Sequence, residues 1–328
     1  MRNIVFVVAL LMVPLALNAQ LLPDASNVAI ELAQQFAGPT KTFPGPLETY
    51  RAEVRGTSVD LNRSTITWTH NGKVVARGLG IRTYTFTTGA AGTRDALTAA
   101  VVAPDGTRHS PTKTLAINDV DLLWFTETTV PVWYDGKPLP SVRSTVRVAA
   151  FPQVVRNGAP IPASQLIYRW SQKGQIVREA SGAGRDLYTF TTDFVTSAEA
   201  EISVTVSDIN QTAGAQKTVV VLSARPLLRF YSEHPLEGVL SNRALSRFPI
   251  PSDSTQSFRV APFFFSKSTP LSYEWFVNDA RADAGGAPDL LQIAAARGVA
   301  ASASISATVK NLKNILEEAR GAFTVDVQ

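Results

Sequence analysis

A block of short strands around a tryptophan occurs three times in the chain, and it limits the fold more than any other feature. The clearest copy runs Leu166-Ile-Tyr-Arg-Trp170, a turn at Lys173-Gly174, then Tyr188-Thr-Phe190-Thr-Thr192. Ile202-Ser-Val204-Thr-Val206-Ser-Asp208 and Lys217-Thr-Val219-Val-Val221 follow. An earlier copy has Ile66-Thr-Trp68, Asn71-Gly72, Tyr84-Thr-Phe86, Leu97-Thr-Ala99-Ala-Val101 and Leu115-Ala-Ile117. A later, more divergent one has Tyr273-Glu-Trp275, Ile305-Ser-Ala307-Thr-Val309 and Phe323-Thr-Val325-Asp-Val327. The three tryptophans fall roughly 100 residues apart, the length of one sandwich domain and too long a period for a solenoid. The expected architecture is therefore all-β, with three tandem β-sandwiches over 20–119, 120–224 and 225–328.

Alternation within each block sets the core. Tyr50, Ala52 and Val54 match Val146, Val148 and Ala150; Val28, Ile30 and Leu32 suit a first strand. Asn71-Gly72 is a tight-hairpin signal, because both residues tolerate positive φ. Phe43-Pro-Gly-Pro46 and Ala37-Gly-Pro39 interrupt the ladder, since proline has no N–H to donate. Leu122 to Phe125 opens the second domain and Leu227 to Tyr231 the third; Arg259-Val-Ala-Pro-Phe263 echoes Arg147-Val-Ala-Ala-Phe151. The junctions carry no Gly/Ser-rich or Pro-rich spacer, so neighbouring domains are expected end to end with restricted bending. In the third copy Leu312, Ile315, Leu316 and Ala319 follow helical spacing, which predicts a short inserted helix that caps its own sandwich or docks a partner.

Residues 1–19 have the layout of a secretory signal peptide: Arg2, an apolar run from Ile4 to Leu17, and a small residue at Ala19. The run is about 14 residues, short of the roughly 20 that span a bilayer; an uncleaved anchor is the alternative. No cysteine occurs anywhere, which removes disulfides, thiol catalysis and lipid attachment at cysteine, and in an exported chain points to a bacterial origin. The composition, 45% hydrophobic and 18% charged, is that of a folded chain. A net charge of +4, scattered along the sequence, gives no basic patch for nucleic acid.

The order Tyr168-Arg-Trp170, turn, Tyr188-Thr-Phe190, Ile202 to Asp208, Lys217 to Val221 resembles the PKD and immunoglobulin-like domains of bacterial extracellular proteins. The Gly-Asp-Gly turn usual in PKD domains is replaced by His70-Asn-Gly72, Gln172-Lys-Gly174 and Val277-Asn-Asp279, and the paired cysteines of antibody domains are missing. The resemblance implies a surface or spacer role in adhesion, display or envelope assembly, with protein or glycan at the cell surface as partner and self-association open.

No motif supports catalysis, a cofactor or a metal. His70, His109 and His234 read as exposed turn residues, and Glu317-Glu318 as a solvated helix face. Asn118-Asp119-Val120-Asp121 offers few of the six to eight oxygens that calcium takes, and reads as a polar linker. Trp133 and Tyr134 are the candidate ligand-binding pair: aromatics on a sandwich can stack sugar rings, and the other reading is edge packing or contact with the adjoining domain. Phe263-Phe-Phe265 is expected to send at least one ring outward. The reading is an exported, non-enzymatic surface or envelope protein; the alternative is a carbohydrate-binding module, and an enzyme comes third.

Overall fold

The computed structural model describes residues 28–34, 42–193, 199–267, 269–284, 286–298 and 300–328. The signal peptide, the leader that follows it and the Ala37-Gly-Pro39 break lie outside these residues. The chain divides into two compact units, the first centred on residues 49–87 and 95–115 and the second on 116–328.

The first unit carries β1 (Ala29–Gln34), β2 (Thr49–Arg55), β3 (Thr65–His70), β4 (Lys73–Leu79), β5 (Thr83–Thr87), β6 (Arg94–Val102), β7 (Arg108–His109) and β8 (Thr112–Ala116). They form one sheet in the order β1-β2-β5 and another in the order β4-β3-β6, with β7 and β8 along β6. Tyr50, Ala52, Val54, Ile66, Trp68, Phe86, Leu97, Ala99 and Val101 fill the space between them. These are the alternate residues of each strand, so period two alone sends them to one face.

The second unit holds two further sandwiches of the same plan. Its first half has β9 (Asp119–Thr126), β10 (Thr145–Gln153), β11 (Val155–Arg156), β12 (Ala159–Pro160), β13 (Ile167–Gln172), β14 (Gln175–Ile176), β15 (Gly182–Ala183), β16 (Leu187–Thr191), β17 (Glu199–Ser207) and β18 (Gly214–Leu222). The sheets run β16-β10-β9 and β14-β13-β17-β18. Its second half has β19 (Leu227–His234), β20 (Gly238–Val239), β21 (Arg247–Ile250), β22 (Thr255–Phe263), β23 (Leu271–Val277), β24 (Ala280–Ala282), β25 (Leu290–Ala294), β26 (Ala301–Asn311) and β27 (Glu318–Val327). There the sheets run β20-β19-β22-β25 and β21-β27-β26-β23-β24. Among the described residues of this unit, β21 pairs with β27 in parallel and the other pairs are antiparallel. The division of strands between two packed sheets is the immunoglobulin-like arrangement.

Each repeat tryptophan (Trp68, Trp170 and Trp275) sits on an inner strand of the larger sheet and is closed off from water. Its indole N–H donates to a main-chain carbonyl at the crossing to the other sheet: Trp68 to Ile81 (2.9 Å), Trp170 to Arg185 (2.9 Å), Trp275 to Pro288 (3.0 Å). The bond gives the one polar atom of the largest buried side chain a partner, which offsets the cost of taking it out of water. The following hairpin turns at two residues of positive φ in all three copies: Asn71-Gly72 (49° and 79°), Lys173-Gly174 (50° and 78°) and Asn278-Asp279 (47° and 62°). Two consecutive left-handed residues define the turn whose twist matches the strands it joins.

The helix expected in the third sandwich is not formed. Residues 312–317 make a tight turn between β26 and β27, with Leu312, Ile315 and Leu316 exposed. Asn311 Oδ1 accepts from the N–H of Lys313 (2.9 Å) and Asn314 (3.1 Å), as a helix cap would, but Asn311 N–H donates to Glu317 O (2.9 Å) and closes the segment as a hairpin turn after one winding. Six residues between two paired strands also leave no length over which a helix could offset its nucleation cost.

Candidate functional site: the joint between the second and third sandwiches

The connection from β9 to β10 leaves its own sandwich and lies on the next one. Residues 127–129 pair with 264–267: Lys267 N–H donates to Glu127 O (2.9 Å), Thr129 N–H to Phe265 O (2.6 Å), and Phe264 N–H to Thr129 O (2.6 Å). Thr128 bridges Ser266, and its hydroxyl donates to Leu139 O (2.8 Å), closing the excursion into a loop. Phe264 has φ 65°, unusual for an aromatic residue, and the two bonds to Thr129 hold it there. That left-handed residue cancels the alternation expected of Phe263-Phe-Phe265. All three rings are buried: Phe265 enters the core of the third sandwich, while Phe263 and Phe264 face the loop.

Trp133 and Tyr134 lie at the tip of this loop. The indole meets Tyr231 edge to face at 5.6 Å, and the phenol ring meets Phe263 at 5.3 Å and Phe264 at 6.5 Å. Val130, Trp133 and Leu139 together pack on Tyr231, Ala261, Phe263 and Phe264. Gly136 passes beneath the Tyr134 ring so closely that a Cβ there would fall 2.3 Å from Cζ. Lys137 folds back with its ammonium 3.2 Å from the Trp124 ring centre, and burial holds its pKa below the usual lysine value.

A polar hub closes the other side of the joint. Glu317 is fully buried, against the expectation of a solvated pair with Glu318, which alone is exposed. Its Oε1 accepts from the hydroxyls of Ser141 (2.5 Å) and Ser266 (2.7 Å); Oε2 accepts from Ser266 N–H (3.0 Å) and Asn311 Nδ2 (2.6 Å). Ser141 in turn touches the Ser144 hydroxyl at 2.8 Å, and the Thr192 hydroxyl donates to Ser141 O (2.6 Å). Asn314 Nδ2 adds a bond to Val142 O (3.0 Å). Four donors from both sandwiches thus meet one acceptor-only group, which a buried carboxylate needs in place of water. The sequence signal was a Ser/Thr cluster at 141, 144 and 192, and nothing local linked it to residue 317.

The remaining candidates are structural in their contacts. His70 and His109 are half-buried and only His234 is exposed. His70 is a correction to the exposed-turn reading: Nε2 faces the buried Asp95 (3.2 Å), Nδ1 faces the Tyr84 hydroxyl (3.4 Å), and the ring packs on Phe86. Burial, then the nearby Asp95, pushes the Tyr84 pKa up. The second sandwich repeats the contact without histidine, Tyr188 donating to Gln172 Oε1 (2.8 Å). At 118–121 the oxygens diverge. Asn118 Oδ1 accepts from Val155 N–H (2.9 Å), Asp119 lies 3.6 Å from Lys217 Nζ, and Asp121 is exposed. Among the described residues no group of three or more Asp, Glu or His side chains could hold a metal ion. Among those residues no helix is long and apolar enough to cross a membrane.

No protein-family model and no curated protein matches the chain. Solved structures resemble it weakly. The three N-terminal domains of the bacteriophage RB49 outer capsid protein Hoc align at 11% identity over 93% of this chain and 99% of that one, with a TM-score of 0.27. Chicken CNTN1 FN1–FN3 domains align at 8% identity over 92% and 97% (TM-score 0.24). Bacteroides ovatus SGBP-B, solved with a mixed-linkage heptasaccharide, aligns at 11% identity over 92% and 71% (TM-score 0.21).

Proposed function

We propose that the chain is an exported, non-enzymatic surface or envelope protein of the PKD/immunoglobulin-like kind, serving as a structural spacer that presents binding faces. The observation that carries this reading is the joint. Backbone pairing, an aromatic lock and a buried carboxylate hub hold two sandwiches in one arrangement, which a spacer requires and a flexible string of modules does not. Trp133 and Tyr134 are assigned to that lock. The glycan reading asks the same two rings for an open platform; Trp133 is half-buried edge-on against Tyr231, while Tyr134 meets Phe263 and Phe264 and keeps 37% of its surface exposed.

Cross-linking on intact producing cells, with linked peptides identified by mass spectrometry, tests the proposal. Lys310 and Lys313 are exposed, at the end of β26 and in the turn that leads to Glu317. Links to envelope proteins or to a second copy are the expected result. A chain found free in the medium or held only by polysaccharide would move the assignment to a secreted binding module.

A further inference from the structure

The smaller sheet of each sandwich turns one face outward, and the three copies treat that face differently. The ladders align them: Tyr50 faces Phe86, Val146 faces Phe190 and Phe258 faces Leu291, which puts Arg51, Arg147 and Arg259 at one position. The next outward positions along that strand are Glu53, Ala149 and Ala261, then Arg55, Phe151 and Phe263. Across the ladder from the arginines stand Ala33, Phe125 and Tyr231.

In the first sandwich the face is polar. Arg55 pairs with Glu31 (3.1 Å) and Glu53 (3.3 Å), and Thr83 and Thr85 complete it. In the third it is apolar and covered at one end, where Tyr231, Ala261 and Phe263 are buried under Val130, Trp133 and Leu139, and carries the Arg259 pairs with Glu233 and Asp289 at the other. In the second it has the chemistry of the third and the exposure of the first. Phe125, Ala149 and Phe151 repeat Tyr231, Ala261 and Phe263, and Leu123 and Leu187 flank Ala149 across both ladders. Leu123 is 62% exposed, Phe125 45%, Phe151 52% and Leu187 47%. Contiguous exposed apolar residues on a soluble domain mark an interaction site more often than scattered ones do.

We infer that this face of β9, β10 and β16 docks an extended, proline-flanked segment of another protein chain that carries a large aromatic residue. The third sandwich shows what such a face takes in this fold: Val130-Pro-Val-Trp133-Tyr134 with Pro138-Leu-Pro140. The described part of the corresponding connection ahead of the second sandwich takes another course. Over residues 42–48, which cluster with the second unit, Phe43 lies against Gly214 in the other sheet and Leu47 is exposed. The patch is continuous with the joint, since Phe125 stands two residues before Glu127, whose carbonyl accepts from Lys267. Its four exposed side chains offer a few hundred Å2, short of the roughly 800 Å2 per partner of a stable domain-sized interface but enough to seat one segment. The inference builds on the spacer reading by naming a partner class for one face.

A synthetic peptide of residues 128–140 is the probe, titrated onto the full chain by fluorescence anisotropy, beside the same peptide with Trp133→Ala. The protein variant Leu123→Glu with Phe151→Arg places the first sandwich's residues on the second, where the same fold already accommodates them. Leu187→Thr, also taken from the first sandwich, is the milder companion should the double variant melt early. The expected result is saturable binding, weakened about tenfold or more by the peptide change and by either protein variant. Binding that ignores the protein variants, or its absence up to the peptide's solubility limit, would overturn the inference. Concentration-dependent dimerisation abolished by the same variants would overturn it too, by making a second copy the occupant. None of these outcomes bears on the cell cross-linking, so the spacer reading stands or falls separately.

Discussion

The Ser141 hydroxyl donates to Glu317 Oε1 at 2.5 Å across 176 residues of sequence, in a site closed to solvent. This bond and its three companions join two sandwiches through one carboxylate. Glu317→Ala would strand donors on both sides of the joint, and should destabilise the second unit by about 2–4 kcal/mol. Glu317→Gln keeps the shape but sets an amide N–H2 against a donor, and should cost about 1–2 kcal/mol. Urea unfolding checks both. Alanine should also split one transition into two, as the sandwiches lose their coupling.

Trp133→Ala removes the indole from Tyr231 while leaving both sandwich cores intact. A half-buried aromatic contact of this kind should cost about 1–3 kcal/mol. Limited proteolysis should then cut within residues 127–140, a loop that the parent protein protects. An unchanged cleavage pattern would remove the loop from the lock.

Trp170→Ala empties the centre of the second sandwich and leaves the Arg185 carbonyl without its donor. The expected loss is about 3–5 kcal/mol, a large part of one domain's stability. Thermal denaturation followed by near-ultraviolet circular dichroism would register it; an unmoved midpoint would mean that the ring is not the keystone of that core.

His70→Gln should be nearly silent, within about 1 kcal/mol, because Gln172 holds the same place in the second sandwich and accepts from Tyr188. His70→Ala should cost more, since Asp95 and the Tyr84 hydroxyl both lose their contact with the ring. The comparison of melting midpoints separates a positional role from one that depends on imidazole.

Asp208 gives the second sandwich an acid limit. Burial alone would raise its pKa. Bonds from Ala213 N–H (2.9 Å), Thr212 Oγ1 (2.8 Å) and N–H (2.7 Å), and Arg156 Nη1 (3.1 Å) outweigh that and hold it below the usual carboxylate value. A pKa lowered on folding stabilises the folded state fully above the unfolded value, about 3.9, and loses that contribution as pH falls through the folded one. Stability should therefore drop below about pH 4, and Asp208→Asn should be less stable at neutral pH with a flatter acid limb. A melting curve measured from pH 2 to 7 tests the sign.

What the sequence by itself determined is the content of each sandwich. Alternation placed Ile66, Trp68, Tyr168, Trp170 and Trp275 toward a core, and Asn71-Gly72 and Lys173-Gly174 marked hairpins, because strand facing and turn conformation depend on neighbours one or two residues away. Local patterning misled at 312–317, where helical spacing lost to the hairpin closure between Asn311 and Glu317, and at Phe263-Phe-Phe265, where one left-handed residue reset the alternation. The tertiary structure alone decided what lies between and upon the sandwiches. Glu317 is buried because Ser141, Ser266 and Asn311 converge on it. Phe263 is covered and Phe151 is not, although the two occupy equivalent positions in near-identical strands. Those outcomes turn on contacts between segments far apart in the chain, which no spacing of residues within one strand can encode.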